Sequence, residues 1–442
     1  MRAQLATTVK TGWGLGAALL VLTALGLSLH VAGDQGIGSP ERINVFVCLA
    51  LLACMVYAWG VRLVLRRHIS VWVVLLVLVA PPFLSTDLYR YVWDGRVQRE
   101  GINPYLYVPA APELAPLQDQ AIFANINRPD YAVTIYPPVA QIIFRLVAQV
   151  AQSPYAIKAT MMLFDALTIF VLMHLLKTSG QPTAQVVIYA WHPLPIWEFS
   201  GNGHVDAAGI GLISLGLLAW LWRWPILASI AMAASVLVKF LPAVLLPAIW
   251  HRREGRFIQW AAPFVFAGTV AVCYAFYASA GCRVLGFLPG YASEEGVDNE
   301  TRLFPLAVLS QWFALPHWAG AAYYVIAALA LLTLGGAVAI RKWPALPEPL
   351  ALQRLAASML LLATSITVAL FPHYPWYFAW LLLPCTLMPT ISVIYLTSAT
   401  FIIYLAIYDD SLLWPCLVYG PFFLLAARDV LNTLRPYRLQ RS

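Results

Sequence analysis

Asp87, Tyr91 and Asp94 are spaced i, i+4 and i+7 within the run from Ser85 to Tyr105, the densest concentration of ionisable and aromatic side chains in the chain. On a helix this spacing puts all three on one face, with the two carboxylates separated by roughly 10 Å of rise and Arg90 within reach of both. A carboxylate in the first turn is stabilised as the anion by the helix N-terminus, which leaves it available to accept a proton from a hydroxyl. Ser85 or Thr86 supplies a cap, and Gly101 followed by Asn103-Pro104 supplies a stop, which predicts about fifteen residues of helix. The alternative is an ordinary juxtamembrane helix, with Arg90, Arg96 and Arg99 seeking headgroups and Tyr89, Tyr91 and Trp93 forming an interfacial belt.

Whatever positions this stretch is embedded in lipid. The 442 residues are 61% hydrophobic and only 11% charged, with a mean hydropathy of +0.75. A water-soluble surface needs far more charge, so the chain is expected to be an all-α polytopic membrane protein. The net charge of +7, from 27 basic against 20 acidic residues, is what cytoplasmic loops supply and does not point to nucleic acid. The six cysteines form no CxxC pair and fall mostly in apolar runs, so neither a disulfide framework nor a zinc site is expected. Arg2 and Lys10 precede an apolar run at 12–32 that is too long for a signal-peptide core and reads as a first membrane helix.

Further apolar runs fall at 43–65, 69–84, 136–152, 155–176, 183–200, 204–222, 225–250, 257–280, 317–340, 350–371, 376–390, 391–408 and 411–427, giving about 12–14 transmembrane helices with some half-helices among them. Arg62, Arg66 and Arg67 read as inside, as do the basic stretch 251–256, Arg341-Lys342 and Arg435, Arg438 and Arg441. The Asp87 helix and its loop, 85–135, then face outside, together with the acidic residues Glu294, Glu295, Asp298 and Glu300 and with His373-Tyr374-Pro375-Trp376. The turn 201–206 falls inside if every run from 136 to 250 crosses once, and outside if one is re-entrant or if 225–250 breaks around Pro242. No internal repeat or soluble domain is visible, so residues 1–442 read as one membrane domain whose chemistry is built from loops and helix ends.

An ionisable group at membrane depth costs roughly 2.5–3.5 kcal/mol on insertion scales and so calls for a reason. Arg145, Lys158, Asp165, His174, Glu198, His204, Asp206 and Lys239 are such groups, and for each a structural pair or a snorkelling side chain stands beside a functional role. Lys239 interrupts an apolar run with no acidic residue within a turn, and a lone cation there suits a phosphate. His204 and Asp206, without a third ligand nearby, are better suited to hydrogen bonding than to metal. His373-Tyr374-Pro375-Trp376-Tyr377 offers an imidazole, two phenols and an indole at a proline break, either as a belt or as a wall for a sugar face. Tyr136-Pro137-Pro138 delivers the chain rigidly into the next span. Signatures for ATP, zinc protease, haem or nucleophile-elbow chemistry are absent.

Taken together, Thr86-Asp87-Leu88-Tyr89-Arg90-Tyr91, Asp94-Gly95, Gly101-Ile102-Asn103-Pro104-Tyr105 and Tyr136-Pro137-Pro138 resemble the first outer loop of the GT-C superfamily of integral-membrane glycosyltransferases. The similarity is to bacterial polyprenyl-phosphate-mannose-dependent mannosyltransferases. Residues 201–206, the Lys239-Phe240-Leu241-Pro242 segment and residues 373–377 resemble later motifs of that group in the same order. The resemblance implies transfer of a sugar, mannose, from a polyprenyl-phosphate donor to a glycan or glycolipid acceptor at the outer face of the cytoplasmic membrane, by inverting displacement. Asp87 would be the base, with Asp94 as second choice. Tyr89, Arg90, Tyr136, His204, Asp206, Lys239, Arg302, His373 and Tyr374 would contact substrate, with Lys239, Arg90 or Arg302 stabilising the departing phosphate. Membrane lipid, donor and acceptor are the partners implied, and no cofactor or obligatory metal is called for, a divalent ion staying open. A transporter or flippase of lipid-linked sugars is the other reading, although the matched halves of such proteins are not visible here.

Overall fold

The computed structural model describes residues 14–26, 40–67, 85–250, 261–294, 303–341, 347–407, 409 and 411–439. The predicted run 69–84, the basic stretch 251–256, Arg302 and the acidic residues Glu295, Asp298 and Glu300 lie outside them. Every regular element among the described residues is helical, with 100–137 forming mostly turns, and the protein is an all-α, multi-pass membrane protein.

Among the described residues, four helices are long and apolar enough to cross a membrane: Pro40–Leu63, Pro154–Thr178, Ala319–Ile340 and Pro349–Leu370. Two bent pairs raise this to six if each counts as one span. Several predicted runs are not single helices, and proline is the common reason. The run 183–200 divides around His192-Pro193-Leu194-Pro195 into short turns that end in a wide turn over Ile196–Gly201. The run 376–390 divides into Pro375–Leu381 and Leu382–Leu387. Each proline removes a donor and restricts the residue before it.

The two breaks that matter most bring polar residues together. The segment Pro193–Gly201 and the helix Asp206–Leu221 meet at 118°, with Gly203 at φ +71 in the turn, where a side chain would strike Leu88 and Lys158. The run 225–250 stops as a helix at Val236 and resumes at Leu241, one residue before Pro242. At this break the Leu237 carbonyl accepts from Val139 N (3.0 Å) and Ala140 N (3.2 Å), closing the N-terminus of the helix Pro138–Val150. Those amides have no intrahelical partner and need an acceptor when buried. Lys239 reaches the cleft beside Asp87 and pairs with Asp206, so the turn 201–206 lies at the same end of the bundle as Asp87, and the run 225–250 is broken just before Pro242.

The Asp87 helix runs Asp87–Arg99. Ser85 Oγ accepts from Asp87 N at 3.2 Å, and the end is a left-handed Gly101 (φ +77) with Gly101 N on Gln98 O and Ile102 N on Val97 O. The juxtamembrane alternative fails here, because the helix is enclosed by protein. Tyr91, Trp93 and Asp94 are about 1% exposed, and Arg96 is held by Asp119, Gln152 and the Leu117 carbonyl. Burial of Leu88 and Val92 contributes about 1.5–3 kcal/mol each toward the desolvation of the charged residues beside them.

This helix packs on Pro138–Val150 at close range. Tyr91 stacks on Phe144 (4.7 Å, 8°) and meets Tyr136 edge-on, while Gly95 lies directly over the Phe144 carbonyl. A methyl group at Gly95 would overlap that oxygen and press on Ala148. Gly95→Ala is therefore expected to destabilise the protein by about 1–3 kcal/mol, read as a lower apparent Tm in detergent. An unchanged Tm would mean that the two helices are free to separate.

Candidate active site

A narrow cleft opens beside the N-terminal turn of the Asp87 helix. Its walls include Asp87, Arg90, Tyr91, Tyr136 and Lys239, joined by Asn127 and Arg128 from the returning loop and by Tyr291, Trp376 and Tyr377 from the later part of the chain. Among the described residues, one carboxylate and three cations thus line it.

Each cation carries its own acid. Arg90 Nε donates to Asp94 Oδ1 at 2.9 Å, Arg128 Nε to Glu294 Oε2 at 2.6 Å, and Lys239 Nζ to both oxygens of Asp206 at 2.8 and 2.9 Å. None of these three acids lines the cleft. Lys239 also sits 3.8 Å over the Tyr377 ring, whose hydroxyl is 2.8 Å from that of Tyr291. The lone cation expected at 239 is thus paired by a residue 33 positions away, an encounter that the chain break after Val236 makes possible.

Asp87 is the exception. Its Oδ1 accepts from Asn127 Nδ2 at 2.7 Å, and Oδ2 has no hydrogen-bond partner among the described residues. Burial raises its pKa above the ordinary carboxylate value, opposed by the Asn127 hydrogen bond and by the charges of Lys239 and Arg128, and reinforced by Asp206. The net direction is up, so desolvation outweighs the helix terminus that sequence reasoning took to favour the anion. A carboxylate with a free oxygen and a raised pKa is suited to taking a proton from a hydroxyl in the cleft.

The remaining predicted residues divide. Arg90, Tyr136 and Lys239 line the cleft with Asp87, and Asp206 stands directly behind Lys239. Asp94 is 1% exposed, with Arg90 on one oxygen and Gln141 on the other, away from the cleft. Tyr89 is on another side of its helix, near Tyr155. His204 is also buried and stacks on Trp376 (3.9 Å, 19°), with Glu198 3.4 Å from Nε2 and no hydrogen bond to either ring nitrogen among the described residues. Tyr374 stacks on Trp376 too, at 4.6 Å and 16°, so the indole is sandwiched and presents an edge to the cleft. His373 is half-buried beside this stack and does not line the cleft. Arg302, as noted, is not described. No three His, Cys, Asp or Glu side chains gather as a metal site among the described residues.

Sequence reasoning missed Asn127, Arg128 and Tyr291. Asn127 and Arg128 sit in a polar loop where many residues are equally polar, and the left-handed backbone of Arg128 (φ 54) has no compositional signal. Tyr377 was visible within its aromatic motif, and Glu198 as a buried charge.

Comparison with known proteins bears on what this cleft belongs to. The mannopyranosyltransferase A enzymes named Alpha-(1->6)-mannopyranosyltransferase A are similar to it in two organisms. That of Mycobacterium tuberculosis is 25% identical over 347 residues, covering 72% of this chain and 63% of the relative. That of Corynebacterium glutamicum is 25% identical over 209 residues, covering 47% of this chain and 40% of the relative. The chain therefore spans less than two thirds of the length of these curated relatives. No solved structure matches it. A family model described as Alpha-(1->6)-mannopyranosyltransferase, N-terminal domain, matches residues 10–252, the segment holding Asp87, Asn127, Arg128 and Lys239. On that match over more than half its length, the chain belongs to the alpha-(1->6)-mannopyranosyltransferase N-terminal domain family.

Proposed function

We propose that the protein is a glycosyltransferase that moves mannose from a polyprenyl-phosphate donor to a glycan or glycolipid acceptor at the outer face of the cytoplasmic membrane, with residues 1–442 acting as one unit. The observation that carries this reading is the charge arrangement of the cleft: among the described residues Asp87 is the one carboxylate that lines it, hydrogen-bonded by an amide rather than a cation, and three cations share its walls. Family membership and the names of the relatives supply mannose and the α-(1→6) linkage.

The acceptor oxygen attacks the anomeric carbon as Asp87 takes its proton, and the bond to the phosphate oxygen breaks in the same step, with its electron pair leaving on the phosphate. Arg128, Lys239 and Arg90 oppose the charge that gathers there, fixed in direction by their acids before substrate arrives. Because the leaving group is already an anion, the step needs neither a nucleotide nor an obligatory metal. An inverting step that yields an α linkage calls for a β-linked donor, so the α anomer of the donor should be inert.

Purified protein in liposomes, given β-linked polyprenyl-phosphate mannose and mixed glycan and glycolipid acceptors, should release polyprenyl phosphate. Asp87→Asn should remain folded and lose transfer by about 10²-fold or more, the range of general-base removal. Turnover by that variant near the wild-type rate would remove Asp87 as base, and movement of donor without release would favour transport.

The pH profile offers a second test. A base with a raised pKa places the acid limb of kcat/KM above the range of an ordinary carboxylate, with activity lost as pH falls through it. Asn127→Ala removes a hydrogen bond that favours the anion, and should move that limb to still higher pH. A limb that stays in place would mean that another group titrates.

A further inference from the structure

Asp94 was the second candidate for the base, and its surroundings assign it different work. Both of its oxygens are taken, Oδ1 by Arg90 Nε at 2.9 Å and Oδ2 by Gln141 Nε2 at 2.8 Å. Gln141 can turn only its amide nitrogen toward a carboxylate, and its own oxygen accepts from Gln98 Nε2 at 2.7 Å. Gln98 in turn accepts from the Tyr277 hydroxyl at 2.9 Å. The chain of hydrogen bonds therefore has one direction, from Tyr277 through two amides, and it ends on Asp94, which accepts from Arg90 on its other oxygen. Every link in it is buried.

Arg90 is gripped at two of its three nitrogens, because Nη2 donates to the Ala132 carbonyl at 3.0 Å. Nη1 has no partner among the described residues and is not a buried orphan, and the open space beside this side chain is the cleft. A guanidinium is planar, so fixing Nε and Nη2 also fixes where Nη1 points.

We propose that Asp94 is a positioning residue, which holds the Arg90 guanidinium in one orientation so that Nη1 meets a substrate oxygen in the cleft. The proposal rests on the reading of the cleft as the transfer site. It gives the two acids of the Asp87 helix separate tasks: one faces the substrate, and the other acts only through an arginine. An unconstrained arginine would lose side-chain entropy at each binding event, whereas this one has lost it on folding.

Two experiments on the full-length protein separate this proposal from the functional reading. The first needs no activity. Phenylglyoxal modification, followed by peptide mass spectrometry, should label Arg90 several-fold faster in Asp94→Asn than in wild type. Arg96, held by Asp119 on the same helix, should label at an unchanged rate and so report that the helix is intact. Equal Arg90 labelling would overturn the proposal even if the wild type transfers no sugar. Should Asp94→Asn not fold, Gln141→Ala releases one Asp94 oxygen and should accelerate labelling to a smaller degree; no acceleration there counts against the proposal.

The second is a double-mutant cycle on kcat/KM. Asp94→Asn should cost about tenfold or more in the wild type and less than about twofold in Arg90→Ala, the signature of a residue that acts through its partner. Added guanidinium ion should restore part of the turnover of Arg90→Ala and none in the double variant, where nothing orients it. Equal rescue in both, or independent losses that multiply, would return Asp94 to a role of its own. A wild type that releases no lipid phosphate would sink the transfer reading, while the labelling would still decide the Asp94–Arg90 coupling.

Discussion

Burial of charge is the constraint on which this structure turns. Arg90, Arg128 and Lys239 stand at the end of an apolar bundle, Arg90 buried and the other two half-buried, and an uncompensated ion at the buried position costs several kcal/mol. Each is neutralised by an acid outside the cleft: Asp94 in the same helix, Glu294 far along the chain, and Asp206 at the start of the helix after the bent turn. The folding of three distant segments is thereby tied to one local requirement. The cations remain at the cleft wall while their partners stand behind, so the cavity keeps positive groups within reach of a ligand without holding three loose charges. Asp87 is left as the carboxylate answered by an amide alone.

Hydrophobic patterning and breakers made much of the framework legible. The runs 43–65, 155–176, 317–340 and 350–371 became the helices Pro40–Arg67, Pro154–Thr178, Ala319–Ile340 and Glu348–Leu370, because each is apolar over a full membrane thickness with few interior prolines. The Asp87 helix was readable from Ser85, Gly101 and Asn103-Pro104, which act within a turn of their own positions. Hydropathy alone was silent on the paths of 183–200 and 376–390. There the average stays apolar while proline divides the helix, and a window that sums side chains does not register a missing amide.

Pairings were harder to read than elements. That Lys239 meets Asp206 depends on two breaks occurring at matching depth, one after Val236 and one before Asp206. Asp94 and Asp87 look equivalent on a helical wheel, yet one faces the cleft and the other is enclosed with Gln141. Their difference arises from Thr134 and Gln141, contributed by the chain beyond the loop. Trp376 was legible as part of an aromatic motif, but not as an indole covered on both faces by His204 and Tyr374. Asn127 and Arg128 had no signal beyond polarity. The family match closes at residue 252, while Tyr291, Trp376 and Tyr377 complete the cleft from farther along the chain.

The joint at Leu237 carries a consequence for divergence among relatives. Its carbonyl receives Val139 N and Ala140 N, so the contact that fixes the broken span against the neighbouring helix is made entirely of main chain. These hydrogen bonds ask nothing of the side chain at position 237 beyond the apolar character that its burial requires. A joint of this kind lets apolar residues drift freely on both sides while the offset between Tyr136 and Lys239 stays set. Chains that share only a quarter of their residues could then keep the same cleft, since the ruler that spaces its walls is not encoded in any one side chain.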